Sequence, residues 1–153
     1  METNGSYHCG YRRLNCKVKP IQTYLEEAKL GKSTIAIDFD RTIHSYHKGW
    51  HDGTAYGYLI EGSREAIIEL HKRFRLVIFT ARISAGKLGQ TNPKQIQYVE
   101  EWLKKYDLDQ YFSDITHIKT GDIVAIIDDR AVHFDGNWKT ALKDFGKVKN
   151  IRG

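Results

Sequence analysis

The sequence predicts an α/β protein in which a parallel sheet lies between two layers of helices. Short, continuously apolar segments alternate along the chain with amphipathic segments. Strands that are apolar at every position are typical of a parallel sheet covered on both faces. At 153 residues, 41% of them hydrophobic, the chain is long enough to bury one core. We therefore expect a single domain over residues 20–153.

The expected elements follow in order from local signals. Pro20 begins a short helix and Gly31 ends it. Ser63 is placed to cap the next helix, whose apolar stripe is Ile67, Leu70 and Phe74. Asn92 and Pro93 begin the most regular helix, with its stripe at Ile96, Val99, Leu103 and Tyr106. The predicted strands are 33–39, 75–80, 113–118 and 122–128, and the last of these is expected to be buried. The predicted helices are 20–31, 62–74, 92–106 and 136–145. Residues 147–151 could add an edge strand.

The first 19 residues differ from the rest of the chain in charge. Four basic residues against one acidic residue give them +3 of the total net charge of +5. We predict a basic, flexible segment over residues 1–19, which is a weak indication of a polyanionic partner. The segment has no apolar stretch of the secretory type, and no run in the chain approaches the ~18 residues of a membrane span. A cytoplasmic protein with no membrane association is expected.

Cys9 and Cys16 are the two cysteines of the chain, and His8 is adjacent to the first. Three potential ligands fall short of a four-ligand zinc site, so free thiols in a reducing compartment are the favoured interpretation.

Residues 41–62 form the one long connection without a clear element, and such loops in compact domains are usually functional. Its histidines (His44, His47 and His51) could bind a second metal, but substrate contact or a plain polar loop is the favoured interpretation. Its aromatic residues (Trp50, Tyr56 and Tyr58) could stack on a base or sugar, or pack over the edge of the sheet.

Charged and hydroxyl residues follow every predicted strand. They are Asp38 and Asp40; Thr80, Ala81 and Arg82; Lys119; and Asp128, Asp129 and Arg130. Because ligands bind at the carboxyl ends of parallel strands, we expect these residues to meet at one edge of the sheet. Taken singly, each has a structural interpretation: an Asp after a strand is usually a turn former, and a lone Lys is usually on the surface. The coincidence of all four sets favours a site.

Clustered carboxylates without Cys ligands indicate Mg²⁺, which binds hard oxygen atoms and often a substrate phosphate. A neighbouring lysine and hydroxyl suggest an anionic substrate. Two carboxylates two positions apart, Asp38 and Asp40, would supply a nucleophile and a proton-transfer group for phosphoryl transfer.

These residues also match a known family. "DFDRT" resembles the first motif of the haloacid dehalogenase (HAD) superfamily, "VIFT" the second, Lys119 the third and "VAIIDD" the fourth, in order from Thr34 to about Phe145. "IDDRAVHFDGNW" is similar to the corresponding part of small, nearly capless bacterial and phage-type members. The resemblance implies a Rossmann-like, HAD-like three-layer fold with a minimal cap, and a phosphatase.

The resemblance implies a role for each matching position. Asp38 would form an aspartyl-phosphate, and Asp40 would act as general acid and then as base. Thr80 and Lys119 would bind the phosphoryl group. Mg²⁺ would be held by Asp38, by the Asp40 carbonyl, and by Asp128 with or without Asp129. Arg41, Ala81 and Arg82 are the candidate substrate-binding residues.

Two positions depart from the family pattern. Arg41 stands where Gly is common, so it either contacts phosphate or tolerates the turn. Thr120 stands where the small relatives often have Pro after the motif lysine.

We expect the substrate to be a phosphorylated small molecule or a polynucleotide end. The short segments around the site leave no room for a large cap, which suits a bulky substrate or a homo-oligomer whose neighbour covers the entrance. The alternatives are a nucleic-acid 3′-phosphatase, or a binding or regulatory module that keeps the fold without catalysis.

Overall fold

The computed structural model describes residues 33–86 and 89–148 of the chain. The basic N-terminal segment, the helix predicted over 20–31 and both cysteines lie outside the described residues. Most of the edge strand predicted over 147–151 lies outside them as well, since only its first two positions are described. No helix in the described ranges is both long enough and apolar enough to cross a membrane.

The described residues form an α/β structure around a four-stranded sheet. The strands are β1 (Thr34–Ile37), β2 (Arg75–Phe79), β3 (Phe112–Thr116) and β4 (Ile123–Ile127), and the α-helices are α1 (Ser63–His71), α2 (Pro93–Lys105) and α3 (Trp138–Phe145). All three strand pairings are parallel, and the order across the sheet is β3-β2-β1-β4. The α/β class and the parallel sheet are confirmed.

β1 is one of the two inner strands of the sheet and belongs to the core. All four of its residues are buried, as expected for a strand with neighbours on both sides. Helix α2 supplies the largest buried side chain, Trp102, which is 2% exposed. The predicted stripes are confirmed: Ile67, Ile96, Val99 and Leu103 belong to the buried core, with Leu70, Phe74 and Tyr106 packed against it.

The two predicted helix caps have different outcomes. Asn92 caps α2 as predicted, because its side chain accepts hydrogen bonds from the backbone N–H groups of Lys94 and Gln95, and Pro93 is the first helical residue. The prediction for Ser63 is wrong. Gly62 holds the cap position with φ 79°, a left-handed conformation that glycine adopts without strain, and Ser63 is a buried helical residue.

The prediction that β4 is buried is also wrong. β4 is an edge strand, and its Val124 and Ile127 are 61% and 43% exposed. Its apolar composition resembles that of β1, but only one side of it has a neighbouring strand among the described residues. The apolar sequence therefore did not reveal its position in the sheet.

The strand order places the ends of β1 and β4 at a special position. The chain adds β2 and β3 on one side of β1 and then returns to add β4 on the other side. The order therefore reverses between β1 and β4, which is where α/β sheets bind ligands outside the carboxyl ends of their strands. Asp38 follows β1, and Asp128 and Asp129 follow β4.

Candidate active site

Three carboxylates meet where the strand order reverses. Asp38, Asp128 and Asp129 each offer an oxygen, and these oxygens lie within 4.8 Å of one another. We call them the acidic cluster. The backbone holds this arrangement, because the Asp38 N–H donates to the Ile127 carbonyl at 2.8 Å and so extends the pairing of β1 with β4. Asp128 is fixed further by a turn in which its side chain accepts from the Arg130 N–H at 2.6 Å.

The acidic cluster fits a small divalent cation. At the ~2.1 Å bond length of Mg²⁺, ligand oxygens of an octahedron lie about 3 Å apart when adjacent and about 4.2 Å apart when opposite. The oxygens of the cluster all lie within 4.8 Å of one another, close enough for one ion to contact them after small side-chain adjustments, and all of them are hard carboxylate donors. The histidines of the 41–62 loop form no comparable group among the described residues.

The electrostatics of Asp38 also favour a cation. Burial, together with the charges of Asp128, Asp40 and Asp129, raises the pKa of Asp38 to about 7, against a backbone hydrogen bond at Phe39 that lowers it. Its side chain has little compensation, since the hydroxyl of Thr42 donates to it at a long 3.5 Å. A nearby divalent charge would favour the ionised form of this carboxyl.

Asp40, two residues further along, has the opposite environment. Arg82 donates from Nε to Oδ2 at 3.0 Å and from Nη2 to Oδ1 at 2.9 Å, a two-pronged ion pair. Although burial raises the pKa of Asp40, the hydrogen bonds from His44 and Arg82 outweigh it and hold the pKa below its ordinary value. The Asp40 side chain is not a member of the acidic cluster.

His44 contacts the same carboxylate. Its Nδ1 lies 2.9 Å from Asp40 Oδ1, and its Nε2 accepts a hydrogen bond from the Gly57 N–H at 2.7 Å. A backbone N–H can only donate, so Nε2 carries no proton and Nδ1 carries it toward Asp40. His44 is therefore neutral, and its contact with Asp40 is a hydrogen bond rather than an ion pair. Its ring is fully buried and stacks on Phe39 at a centroid distance of 4.9 Å.

The hydrogen bonds continue from His44 into helix α2. The Gly57 carbonyl accepts from Trp102 Nε1 at 2.7 Å and from the Tyr106 hydroxyl at 3.4 Å. A side chain at Gly57 would not fit, because a Cβ there would lie 2.6 Å from His44 Nε2. On the other side, Arg82 Nη1 donates to the Gly53 carbonyl at 2.8 Å and to Gln95 Oε1 at 3.1 Å. We call Asp40, His44, Gly57, Arg82, Gln95 and Trp102 the Asp40 network.

The two arginines singled out in the sequence lie in different environments. The side chain of Arg82 is fully buried, and its hydrogen bonds go to Asp40, Gly53 and Gln95. Arg41 has φ 65°, a conformation that favours glycine, and its guanidinium lies 4.9 Å from the centroid of the Tyr46 ring. The structure therefore places Arg82 within the protein, whereas Arg41 is half-buried beside the turn.

The phosphate-binding candidates lie at the ends of β2 and β3. Thr80 is buried directly after β2, and its hydroxyl accepts from the Arg82 N–H at 3.2 Å. Ala81 is exposed at the start of a 3₁₀ turn. Lys119 is exposed three residues beyond β3, and it forms no ion pair with the carboxylates described here. The roles predicted for these residues stay predictions.

The aromatic residues of the loop divide into inner and outer positions. Tyr56 is half-buried: its hydroxyl donates to the Gly49 carbonyl at 2.6 Å and its ring packs against His44. Trp50 is 49% exposed and its ring lies 5.1 Å from Arg82 Cζ, while Tyr58 is 61% exposed and stacks with His47. Trp50 and Tyr58 are thus the exposed Trp and Tyr side chains of this loop.

The sequence alone did not single out Gly57, Gln95 or Trp102 as part of the site. Gln95 and Trp102 lie on α2 and read as ordinary helix residues, and Gly57 reads as one more loop glycine. A weak signal was present, since an indole N–H within an apolar stripe needs a hydrogen-bond acceptor when it is buried.

Comparisons of the chain with protein-family models, with curated proteins and with solved structures give no match. The resemblance of the motifs to a family therefore stands on the residues themselves.

Proposed function

We propose that this protein is a Mg²⁺-dependent phosphomonoester hydrolase of the HAD type, with a Rossmann-like core and a minimal cap. The observation that carries the proposal is the acidic cluster at the point where strand order reverses, with a second carboxylate, Asp40, two residues beyond Asp38. Four sequence motifs in order and an all-parallel sheet that brings their ends to one edge support the same function.

In the proposed reaction, a carboxylate oxygen of Asp38 attacks phosphorus. The bond from phosphorus to the leaving-group oxygen breaks, its electron pair stays on that oxygen, and Asp40 delivers a proton there. A water molecule then attacks the phosphorus of the aspartyl-phosphate and gives a proton to Asp40. Inorganic phosphate leaves and the Asp38 carboxylate is restored.

The acidic cluster would hold the cation through Asp38 and Asp128, with Asp129 beside them and the Asp40 carbonyl as a further proposed ligand. When bound, Mg²⁺ would offset the charge of the carboxylates and of the phosphoryl group. Thr80 and Lys119 are the proposed phosphoryl contacts.

The pKa of Asp40, which is below its ordinary value, keeps its side chain ionised near neutral pH, and the ionised form is the one that can accept a proton in the second step. For the first step it must hold a proton, and a monoester that carries its own proton below about pH 6 is a suitable source. We therefore expect a pH optimum on the acidic side of neutrality with alkyl phosphates.

The test is hydrolysis of an aryl phosphate with Mg²⁺ and with EDTA, by the wild type and by Asp38→Asn. We expect turnover that requires Mg²⁺ and is lost in the variant. Asp122→Asn is the matched control, because Asp122 is a carboxylate at the opposite end of β4, paired with Arg75 on the surface. A folded protein without turnover on aryl phosphates, nucleotides and 3′-phosphorylated oligonucleotides would contradict the proposal and favour a non-catalytic module.

A polynucleotide end is the second candidate substrate, because Trp50 and Tyr58 are exposed aromatic side chains on the loop that follows Asp40. Such side chains stack on bases without sequence preference. Preferential removal of phosphate from oligonucleotide 3′ ends, weakened in Trp50→Ala, would support it. Binding of oligonucleotides that is sensitive to salt and survives Asp38→Asn without turnover would indicate the binding module instead.

A further inference from the structure

The carboxylate of Asp40 is held by three hydrogen bonds from two side chains. Arg82 binds both oxygens at 2.9 and 3.0 Å, and His44 Nδ1 binds Oδ1 at 2.9 Å. Both side chains are completely buried, whereas the carboxylate itself is 18% exposed. The group is therefore anchored from inside the protein and open on its outer side.

The two oxygens of Asp40 differ in how many donors they have. Oδ1 accepts from both His44 and Arg82, whereas Oδ2 accepts from Arg82 alone. A carboxylate oxygen accepts two hydrogen bonds comfortably. Oδ2 is therefore the atom with capacity left for a proton or for a substrate oxygen.

The orientation of His44 is itself determined by the loop. The Gly57 N–H occupies Nε2 at 2.7 Å, and the Trp102 Nε1–H holds Gly57 from the other side at 2.7 Å. These contacts leave Nδ1 as the ring nitrogen that donates. The 41–62 loop thus supplies Asp40 with a donor of defined direction.

We propose that Arg82 and His44 are positioning residues that orient Asp40, so that Oδ2 exchanges the proton with the leaving-group oxygen. This inference rests on the proposed function. It differs from the expectation that Arg82 contacts substrate, because the hydrogen-bonding groups of the arginine face Asp40, Gly53 and Gln95. It assigns a mechanistic role to the long loop, which presents His44 to the carboxylate.

The test compares substrates that need a proton with substrates that do not. An alkyl phosphate leaves as a strongly basic alkoxide unless it is protonated, whereas p-nitrophenolate is a stable anion. Loss of general acid catalysis costs about 10²–10⁴-fold. We expect Asp40→Asn to lose kcat on the alkyl substrate by a factor in this range, and by much less on p-nitrophenyl phosphate.

His44 offers a matched pair of variants. In His44→Asn the amide nitrogen can take the place of Nδ1 and donate to Asp40, but the acceptor for Gly57 is lost. In His44→Gln the amide oxygen can take the place of Nε2 and accept from Gly57, but the donor to Asp40 is lost. We expect His44→Gln to lose about tenfold or more in kcat on the alkyl phosphate alone, and His44→Asn to retain more of it.

Arg82→Lys supplies the second variant, since it keeps the charge but not the two-pronged geometry. We expect Arg82→Lys to lose more kcat on the alkyl phosphate than on p-nitrophenyl phosphate. Independently of activity, the ¹⁵N shifts of the His44 ring in the wild type should be those of a neutral imidazole protonated at Nδ1.

The outcomes separate the inference from the proposed function. Equal losses on both substrates, a greater loss in His44→Asn than in His44→Gln, or an Nε2-protonated ring would each overturn the positioning role while leaving the phosphatase intact. Absence of turnover by the wild type on both substrates would remove the proposed function, and the inference with it.

Discussion

Asp38 and Asp40 leave the same strand two residues apart, yet their surroundings are opposite. Asp38 faces two other carboxylates, and burial raises its pKa to about 7. Asp40 faces Arg82 and a histidine N–H, and hydrogen bonds from His44 and Arg82 outweigh its burial and lower its pKa. Among the described residues, Asp38 forms no ion pair with a positively charged side chain, whereas Asp40 forms one with Arg82.

The difference shows which carboxylates of the site require a bound cation. A cluster of like charges is costly unless a cation joins it, so the acidic cluster is suited to binding one. Asp40 is already neutralised and needs no ion. Substitutions that exchange or remove these conditions should therefore affect the two carboxylates differently.

Arg82→Ala would give Asp40 the kind of environment that Asp38 has. It leaves a buried carboxylate without its cation and removes the donor to Gly53 and Gln95, and breaking a buried pair in this way costs about 3–5 kcal/mol of unfolding free energy. Urea denaturation would measure the loss. Arg130→Ala is the control, because Arg130 is 54% exposed and 3.5 Å from Asp129, and should cost less than about 1 kcal/mol. Equal losses of unfolding free energy in Arg82→Ala and Arg130→Ala would contradict the view that Asp40 depends on a buried ion pair.

Asp38→Asn should remove the repulsion in the acidic cluster. The pKa of Asp38 is raised from 3.8 to about 7 in the folded protein. The contribution of Asp38 to the unfolding free energy is therefore fully present below pH 3.8. It is lost as the pH rises through 7, by up to about 4 kcal/mol. The variant should accordingly be more stable than the metal-free wild type at pH 8, with little difference near pH 4. Thermal unfolding in EDTA at both pH values tests this, and a destabilised variant at pH 8 would refute it.

Mg²⁺ should stabilise the wild type at pH 8. An ion at 100 times its dissociation constant adds about 2.7 kcal/mol to the unfolding free energy. The gain should be smaller at pH 5, where Asp38 is protonated and must release its proton. Unfolding curves with and without MgCl₂ measure both, and Asp38→Asn should lose most of the gain. An identical shift in that variant would place the ion elsewhere.

Gly57→Ala should disturb the Asp40 network without touching a charge. The added Cβ would lie 2.6 Å from both His44 Nε2 and Ser45 Oγ, so the loop must move, at a cost of about 1–3 kcal/mol. Gly121→Ala is the matched control, because a Cβ there meets nothing within 4 Å. Chemical denaturation of the two variants compares them. Similar stabilities would mean that the loop tolerates the displacement.

The sequence predicted the parts of the molecule that depend on local signals. The Asn92 cap, the apolar stripe of α2 and the strands that end in acids could be read from short stretches. The parallel sheet then brought Asp38, Asp128 and Asp129 together as the rule for strand ends requires.

Features that depend on distant pairing could not be predicted. The contact of Arg82 with Asp40 joins positions 42 residues apart, and that of Trp102 with Gly57 joins positions 45 apart. Contacts at such separations along the chain leave no periodic pattern in the sequence. The position of β4 at the edge was missed for the same reason, because an apolar strand has the same composition whether one neighbour or two adjoin it.

The exposed position of β4 has a consequence for local unfolding. Asp128 and Asp129 stand at the end of an edge strand, and helix α3, which follows it in the chain, has Trp138 and Leu142 at 72% and 66% exposure. Segments with little buried apolar surface open at low free energy and exchange their amide hydrogens early. A cation shared with Asp38 would join this segment to the best-buried strand of the domain, so amide protection across β4 would report occupancy of the site.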